Sequence, residues 1–265
     1  MVLAYWLDQP VWLIFVWIAA VFGFASALIV GLTVLPMTRP AMARIGGGMV
    51  PTYFTAISVL LALLTGFVAN DAWERQRTAT RIVQSERSGL LAIHDLSIAA
   101  VSDMKDLRAE LVAYADALIT DEWPKMADAT SSAKAGETLG RLMQGAADPR
   151  HGTEAGAAAH SALLDAVMGL RTARGERLSL SDATADQSKW LTLMVLAGLT
   201  MLSIGFVHMD RPVTQLTALM LFSTAMVTTL GVVALHERPF DGPLALSSAP
   251  LQAARAVMEA ARPGG

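Results

Sequence analysis

Apolar residues fill four stretches of the chain almost without interruption, at residues 11–35, 50–70, 190–208 and 213–235, and between the second and third the pattern turns polar and periodic. No Asp, Glu, Lys or Arg falls inside any of the four. At about 1.5 Å rise per residue, about 20 apolar residues cross a hydrocarbon core of roughly 30 Å, so the pattern predicts four membrane-spanning helices. The run at 11–35 is too long for the apolar region of a cleaved leader and has no basic segment before it, so it is read as the first span. Within it Ala19, Gly23, Ala27 and Gly31 form a small-xxx-small ladder, a seam for a neighbouring helix.

The second stretch organises the rest. It continues past Asn70 without a Gly or Pro into Asp71-Ala72-Trp73-Glu74-Arg75-Gln76-Arg77, so one helix is predicted to leave the membrane and run on in water to Arg81. Thr52, Thr55, Ser58, Ala62, Thr65, Gly66 and Ala69 recur at steps of three and four and share one side of it, while Phe54, Ile57, Leu60, Leu61, Leu64 and Phe67 cover the remainder. Small residues let helix backbones approach in lipid, and hydroxyls line wetted pathways. Both readings stand, and they combine if several copies of the helix face one axis.

From 71 to about 186 the periodicity is that of soluble amphipathic helices. Leu90, Ile93, Leu96, Ala100, Met104, Leu107, Leu111, Tyr114 and Leu118 make one stripe, expected on a single helix of 28 or so residues. A second helix is predicted at 131–145, started by Ser131 and Ser132, and a third at 153–173. Between the first two, Asp121-Glu122-Trp123-Pro124-Lys125-Met126 reads as a corner, because a proline disfavours helical geometry in the residue before it. A carboxylate there is expected to satisfy free backbone N–H groups at a helix start rather than to do chemistry. No period-2 alternation argues for a sheet. Residues 36–48 read as a loop with two prolines and three consecutive glycines, and 249–261 as a short helix with Ser248 as cap. Thr217, Thr224 and Thr228 line one side of the fourth span, where hydroxyls commonly bond their own helix backbone.

The fold expected is therefore all-α: spans 1 and 2 at 1–70, a helical extramembrane domain at 71–187, spans 3 and 4 at 188–236, and a turn and short helix at 237–265. Composition agrees, with 54% hydrophobic residues and 16% charged. Cysteine is absent and the five histidines are scattered, which leaves no thiolate or paired-histidine metal site, no cofactor and no catalytic residue to nominate. Residues 71–187 carry 18 acids and 13 bases, a net of −5, so nucleic acid is an unsuited partner. Spans free of ionisable groups also argue against a proton-coupled transporter, whereas a channel with an apolar constriction needs none.

Three blocks carry a resemblance. They are Gly66-Phe67-Val68-Ala69-Asn70-Asp71-Ala72-Trp73-Glu74-Arg75; Tyr114 followed by Glu122-Trp123-Pro124 and Met126; and Arg238-Pro239-Phe240 with Gly242. Together with the two-plus-two placement of spans they resemble the bestrophin-like family of bacterial membrane proteins, which is distantly similar to bestrophin channels. The resemblance implies a multi-pass protein of the bacterial inner membrane, a homo-oligomer, five-fold as in bestrophins, and a second span that lines a pore for inorganic ions. On it, Thr52, Thr55, Ser58, Ala62, Thr65 and Ala69 line the pore, and Asp71, Glu74 and Arg75 stand at its mouth. Trp73, Glu122, Trp123, Pro124, Arg238, Pro239, Phe240 and Gly242 are structural residues of the family pattern. A calcium clasp is not carried over, since Asp241 and Glu259 are the only acids from Pro239 to the end. The stripe from Leu90 to Leu118 and the ladder from Ala19 to Gly31 offer more packing surface than one protomer is expected to cover. Arg75, Arg77, Arg81, Arg177, Lys189 and Arg238 flank the spans on the domain side, against Arg39, Arg44 and Arg211 opposite, which puts the domain and both termini in the cytoplasm. The alternative reading is a non-conducting scaffold or sensor whose helical domain docks a partner.

Overall fold

The computed structural model describes residues 9–46, 51–99, 103–182, 187–242 and 244–260, and no strand occurs among them. In chain order the helices are α1 Val11–Val34, α2 Arg39–Gly46, α3 Pro51–Ala99, α4 Lys105–Ala117, α5 Ala133–Ala146, α6 Pro149–Ala155, α7 Ala157–Asp182, α8 Gln187–Val207, α9 Pro212–Leu235 and α10 Ala249–Ala260. Four of them, α1, α3, α8 and α9, are long and apolar enough to cross a membrane. The protein is thus an all-α, four-span membrane protein with a helical domain between spans 2 and 3. The chain forms two compact units. One holds Met1–Glu74, Ala185–Arg238 and Gly242–Leu244, the other Arg75–Thr184, Pro239–Asp241 and Ala245–Gly265.

In the first unit α1 buries Ile14, Ile18, Phe22, Ser26, Ile29 and Thr33, a single face at steps of three and four. Polar side chains on that face make interhelical hydrogen bonds. Ser26 Oγ lies 3.1 Å from Ser223 Oγ of α9, and Thr33 Oγ1 donates to Gln215 Oε1 at 3.1 Å. Gln215 is fully buried and passes the link on, its Nε2 donating to the Gly205 carbonyl of α8 at 2.7 Å. Each such bond inside a bundle is worth about 0.6–2 kcal/mol. Gly205 also permits the approach, since a Cβ there would stand 2.4 Å from Ile29 Cγ2. The ladder expected as a packing seam is not used inside the protomer: Ala19, Gly23 and Ala27 are exposed and only Gly31 is half-buried.

Residues 36–48, expected as a loop, include α2. Its prolines do not prevent this, because Pro40 sits in the first turn, where no intrahelical N–H bond is lost. The carbonyl of Thr38 accepts the N–H groups of Ala41 and Met42 as the helix starts.

In the second unit the stripe from Leu90 to Leu118 belongs to two helices rather than one. α3 ends at Ala99 and α4 starts at Lys105, and Ala100 of the stripe lies outside the described residues. The last carbonyls of α3 find partners: Ser97 Oγ donates to His94 O, and Arg108 Nη1 donates to Ser97 O at 2.8 Å. Asp103 Oδ1 accepts the Lys105 N–H as α4 begins. Folded back in this way, Leu90, Ile93, Leu107, Leu111, Tyr114 and Leu118 share a core with Leu142 of α5, Leu170 of α7 and Leu251 of α10. Among the described residues the stripe is therefore mostly spent within the protomer, with Leu96 half-buried.

The start of α5 follows expectation, with Ser132 as N-cap accepting from Ala135 N at 3.0 Å. The predicted third helix is displaced. Gly156, at φ 89°, separates α6 from α7, and α7 runs nine residues beyond Ala173, to Asp182. At α10, Ser247 Oγ rather than Ser248 takes the Ala249 N–H, while Ser248 Oγ accepts from the Gln252 amide.

Candidate functional site

The corner expected at 121–126 is a continuous helical passage with a widened turn. Leu118–Glu122 is π-helical, and the Trp123 N–H reaches back to Leu118 O. A proline in a regular helix clashes with the carbonyl four residues earlier, and opening the preceding turn by one residue relieves that crowding before Pro124. The widened turn also decides where Glu122 points.

Glu122 is completely buried and does not cap its own helix. Its Oε1 accepts from Arg177 Nη2 at 2.7 Å and Arg174 Nε at 3.0 Å, and its Oε2 accepts from Arg174 Nη2 and from the Ser132 backbone N–H at 3.2 Å. The expectation that it serves a backbone donor holds for that one bond, but two guanidiniums of α7 dominate its surroundings. Arg177, also fully buried, donates from Nε to Glu86 Oε2 at 2.7 Å and from Nη2 to Glu86 Oε1 at 3.1 Å. Its Nη1 meets Met126 Sδ at 2.6 Å, and Tyr114 OH donates to Glu86 Oε1 at 3.1 Å. The guanidinium lies 5.7 Å from the Trp123 ring centroid, and Trp123 stands edge-on to Phe240, centroids 5.9 Å apart. One cluster therefore ties α3, α4, α7, the π-turn and the turn after α9.

Two carboxylates meet two guanidiniums here, so the cluster is neutral overall. Burial pushes the Glu122 carboxyl up, but the bonds from Arg174 and Arg177 outweigh it and leave the group below the usual glutamate range. Burial opposes the Arg177 charge, and the field and bonds of Glu86 and Glu122 more than restore it. The Tyr114 hydroxyl is pushed well above its ordinary value, first by burial and then by Glu86. No nucleophile is activated in this arrangement, and the carboxylate oxygens are already engaged by protein donors. Among the described residues no three His, Asp or Glu side chains converge as metal ligands.

In the first unit the proposed pore face of α3 is divided. Thr52, Thr55 and Ala62 are exposed on the protomer, Ser58 and Thr65 are half-buried, and Ala69 is buried. Thr65 Oγ1 returns to Leu61 O at 2.7 Å. The seat of the span is formed by Leu61, Val68, Ala69 and Ala72. Only 11% of the most apolar window of α3 is buried, against 28–44% for the three other spans. Asp71, expected at the pore mouth, bonds Lys189 of α8, whose Nζ is also 4.0 Å from Oε1 of the fully buried Glu237 beyond α9. Trp73 packs edge-on to His236 at 6.4 Å. Glu74 is exposed and Arg75 half-buried. Arg238 is half-buried, Pro239 and Phe240 are buried, and Gly242 takes φ 85°, a left-handed turn that favours glycine.

The roles of Glu86, Arg174 and Glu237 are not expected from the sequence, and Arg177, expected there as a base flanking the spans, is instead fully buried and paired with Glu86 and Glu122. A signal was present: Glu86 falls on the stripe Ala79, Val83, Leu90, Ile93, and Arg177 on Leu163, Val167, Leu170, Ala173, each a charge at a core position.

The Bestrophin-like domain matches residues 16–251 of the chain. Among solved structures, a bacterial bestrophin homolog from Klebsiella pneumoniae is similar in two variant forms. One gives a TM-score of 0.73 at 12% identity over 92% of this chain and 97% of that one; the other gives 0.69 at 13% over 92% and 96%. A further structure, described as a membrane protein, gives 0.67 at 13% over 93% and 96%. At such identities the likeness is one of fold. No curated protein matches the chain.

Proposed function

The chain belongs to the bestrophin-like family, and we propose that it is a homo-oligomeric ion channel whose second span, the apolar part of α3, lines the pore. The observation that carries this reading is the exposure of that span. Only 11% of the apolar window of this helix is buried in its own protomer, and beside the exposed apolar Val59, Leu60, Leu63 and Phe67 it exposes Thr52, Thr55, Ala62, Gly66 and Asn70. Copies arranged about an axis turn that face inward, where hydroxyls replace part of an ion's hydration shell. The unused ladder Ala19, Gly23 and Ala27 on α1 lets a neighbouring copy approach closely. Five copies, a bacterial inner-membrane location, and a cytoplasmic domain and termini follow from the bestrophin kinship and the distribution of arginines. The net charge of −5 over residues 71–187 raises the local cation concentration, so cations are the expected permeant ions.

Reconstitution of the purified oligomer in liposomes tests the reading. Flux of potassium or chloride above empty controls supports it, and Thr55→Leu is expected to reduce conductance more than Ser58→Leu. Absence of flux in both voltage directions removes the channel and leaves a membrane scaffold whose helical domain docks a partner. A monodisperse monomer in mild detergent removes the oligomer.

A further inference from the structure

We propose that the end of the first unit formed by α2 and the α8–α9 turn is a docking surface for anionic phospholipid headgroups. The inference is independent of whether the protein conducts.

α2 is fastened at both ends. Thr38, at its start, donates from Oγ1 to Leu32 O at 2.7 Å, the last turn of α1. At its other end Gly46 lies so near Phe206 of α8 that a Cβ would meet the ring at 2.5 Å. The helix is thus held against the ends of two spans, and its outward face is fixed by the protein.

That face combines two chemistries. Met37 is 92% exposed, Ile45 68% and Val213, at the start of α9, 80%. At the same end of the unit the side chains of Arg39, Arg44 and Arg211 are also exposed. Arg39 Nη2 lies 3.6 Å from Asp210, which places α2 next to the α8–α9 turn and leaves three guanidiniums against one carboxylate. Large apolar side chains at this exposure are costly in water but suit the acyl boundary, while guanidiniums at the same depth reach the phosphates. The excess of positive charge selects an anionic headgroup over a zwitterionic one. Every cation of the group is arginine, whose planar fork meets a phosphate with two parallel hydrogen bonds.

The test uses the full-length protein in detergent, titrated with phosphatidylglycerol or phosphatidylcholine, with bound lipids counted by native mass spectrometry. Each guanidinium near a headgroup is expected to favour the anionic lipid on the order of fivefold, so the wild type should prefer it by roughly tenfold or more. The preference should fall to near unity in Arg39→Gln/Arg44→Gln and persist in Arg39→Lys/Arg44→Lys, with thermal unfolding without lipid unchanged in both. Equal retention of the two lipids by the wild type overturns the proposal, as does a preference that survives the glutamine pair. Inorganic phosphate competing as well as the lipid at equal concentration would show a free-anion site instead. Disulfide cross-linking of Ile45→Cys between copies, clean in a chain without cysteine, would show that the surface faces a second protomer and not lipid.

Discussion

Arg177 donates from Nε to Glu86 Oε2 at 2.7 Å with both side chains fully buried, joining α7 to the distal part of α3. A buried ion pair is an uncertain source of net stability, because removing two charges from water costs several kcal/mol per ion. Removing one partner is a different matter. Arg177→Met leaves Glu86 and Glu122 buried without their shared counter-charge and is expected to destabilise the domain by about 3–5 kcal/mol. Chemical denaturation followed by circular dichroism would show it, and a change below about 1 kcal/mol would contradict the role assigned to the cluster.

Acid should act on the same cluster. The Glu122 carboxyl lies lower in the folded domain than in the unfolded chain: burial raises it, and the Arg174 and Arg177 bonds more than reverse that. A group depressed on folding stabilises fully above its unfolded value, about 4.3 for glutamate, and the contribution is lost as the pH falls through the folded value. The melting temperature should be level from pH 7 to 5 and drop below about pH 4. Glu122→Gln should melt lower at neutral pH but with a shallower acid limb. An unchanged acid limb would show that other carboxylates govern it.

Two glycines of α8 should respond oppositely to alanine. At Gly205 a Cβ would stand 2.4 Å from Ile29 Cγ2, a branched side chain with little freedom, so Gly205→Ala should cost about 1–3 kcal/mol. At Gly198 nothing lies within 4 Å of the added atom, and Gly198→Ala should be neutral or stabilise by up to about 1 kcal/mol through helix propensity. Thermal unfolding in one detergent compares them directly. Equal effects would remove the argument that α1 and α8 meet at Gly205.

Lys189 offers a test of how the second span is seated at its Asp71 end. Its ammonium sits between Asp71 of α3 and the buried Glu237. Ala72, beside Asp71, is fully buried, so a cysteine placed there should react slowly with a water-soluble maleimide. Lys189→Met should raise that rate by roughly tenfold, the equivalent of about 1.4 kcal/mol in local opening, while Lys189→Arg should leave it near the starting value. Equal rates in all three proteins would mean the ion contact does not seat the helix.

What was legible in the sequence was whatever periodicity and composition alone decide. The four spans are visible because lipid admits no charge and little polarity, and the observed α1, α8 and α9 lie within a few residues of the expected runs. The course of the stripe was not legible. Leu90 to Leu118 keeps helical phase across the break after Ala99, so the pattern continues although the chain folds back, and only the capping chemistry at Asp103 marks the place. The charged cluster escaped for a related reason. Glu86 and Arg177 are 91 residues apart, and nothing local says that a charge on one stripe will meet its opposite on another. Glu122 was visible by its place beside Trp123-Pro124, but its partners were set by a helix whose predicted end, Ala173, stopped short of both arginines.

The π-turn at Leu118–Glu122 gives that passage a counting property. A helix with one surplus residue is out of step with itself by about 100°, so every side chain after the surplus is rotated relative to those before it. Tyr114, which bonds Glu86, and Glu122, which bonds Arg177, join the same cluster from opposite sides of this phase slip. Excising Ile119 or Thr120 would restore regular winding and swing Glu122 and Trp123 off the Arg177 group together, without altering one charge in the domain.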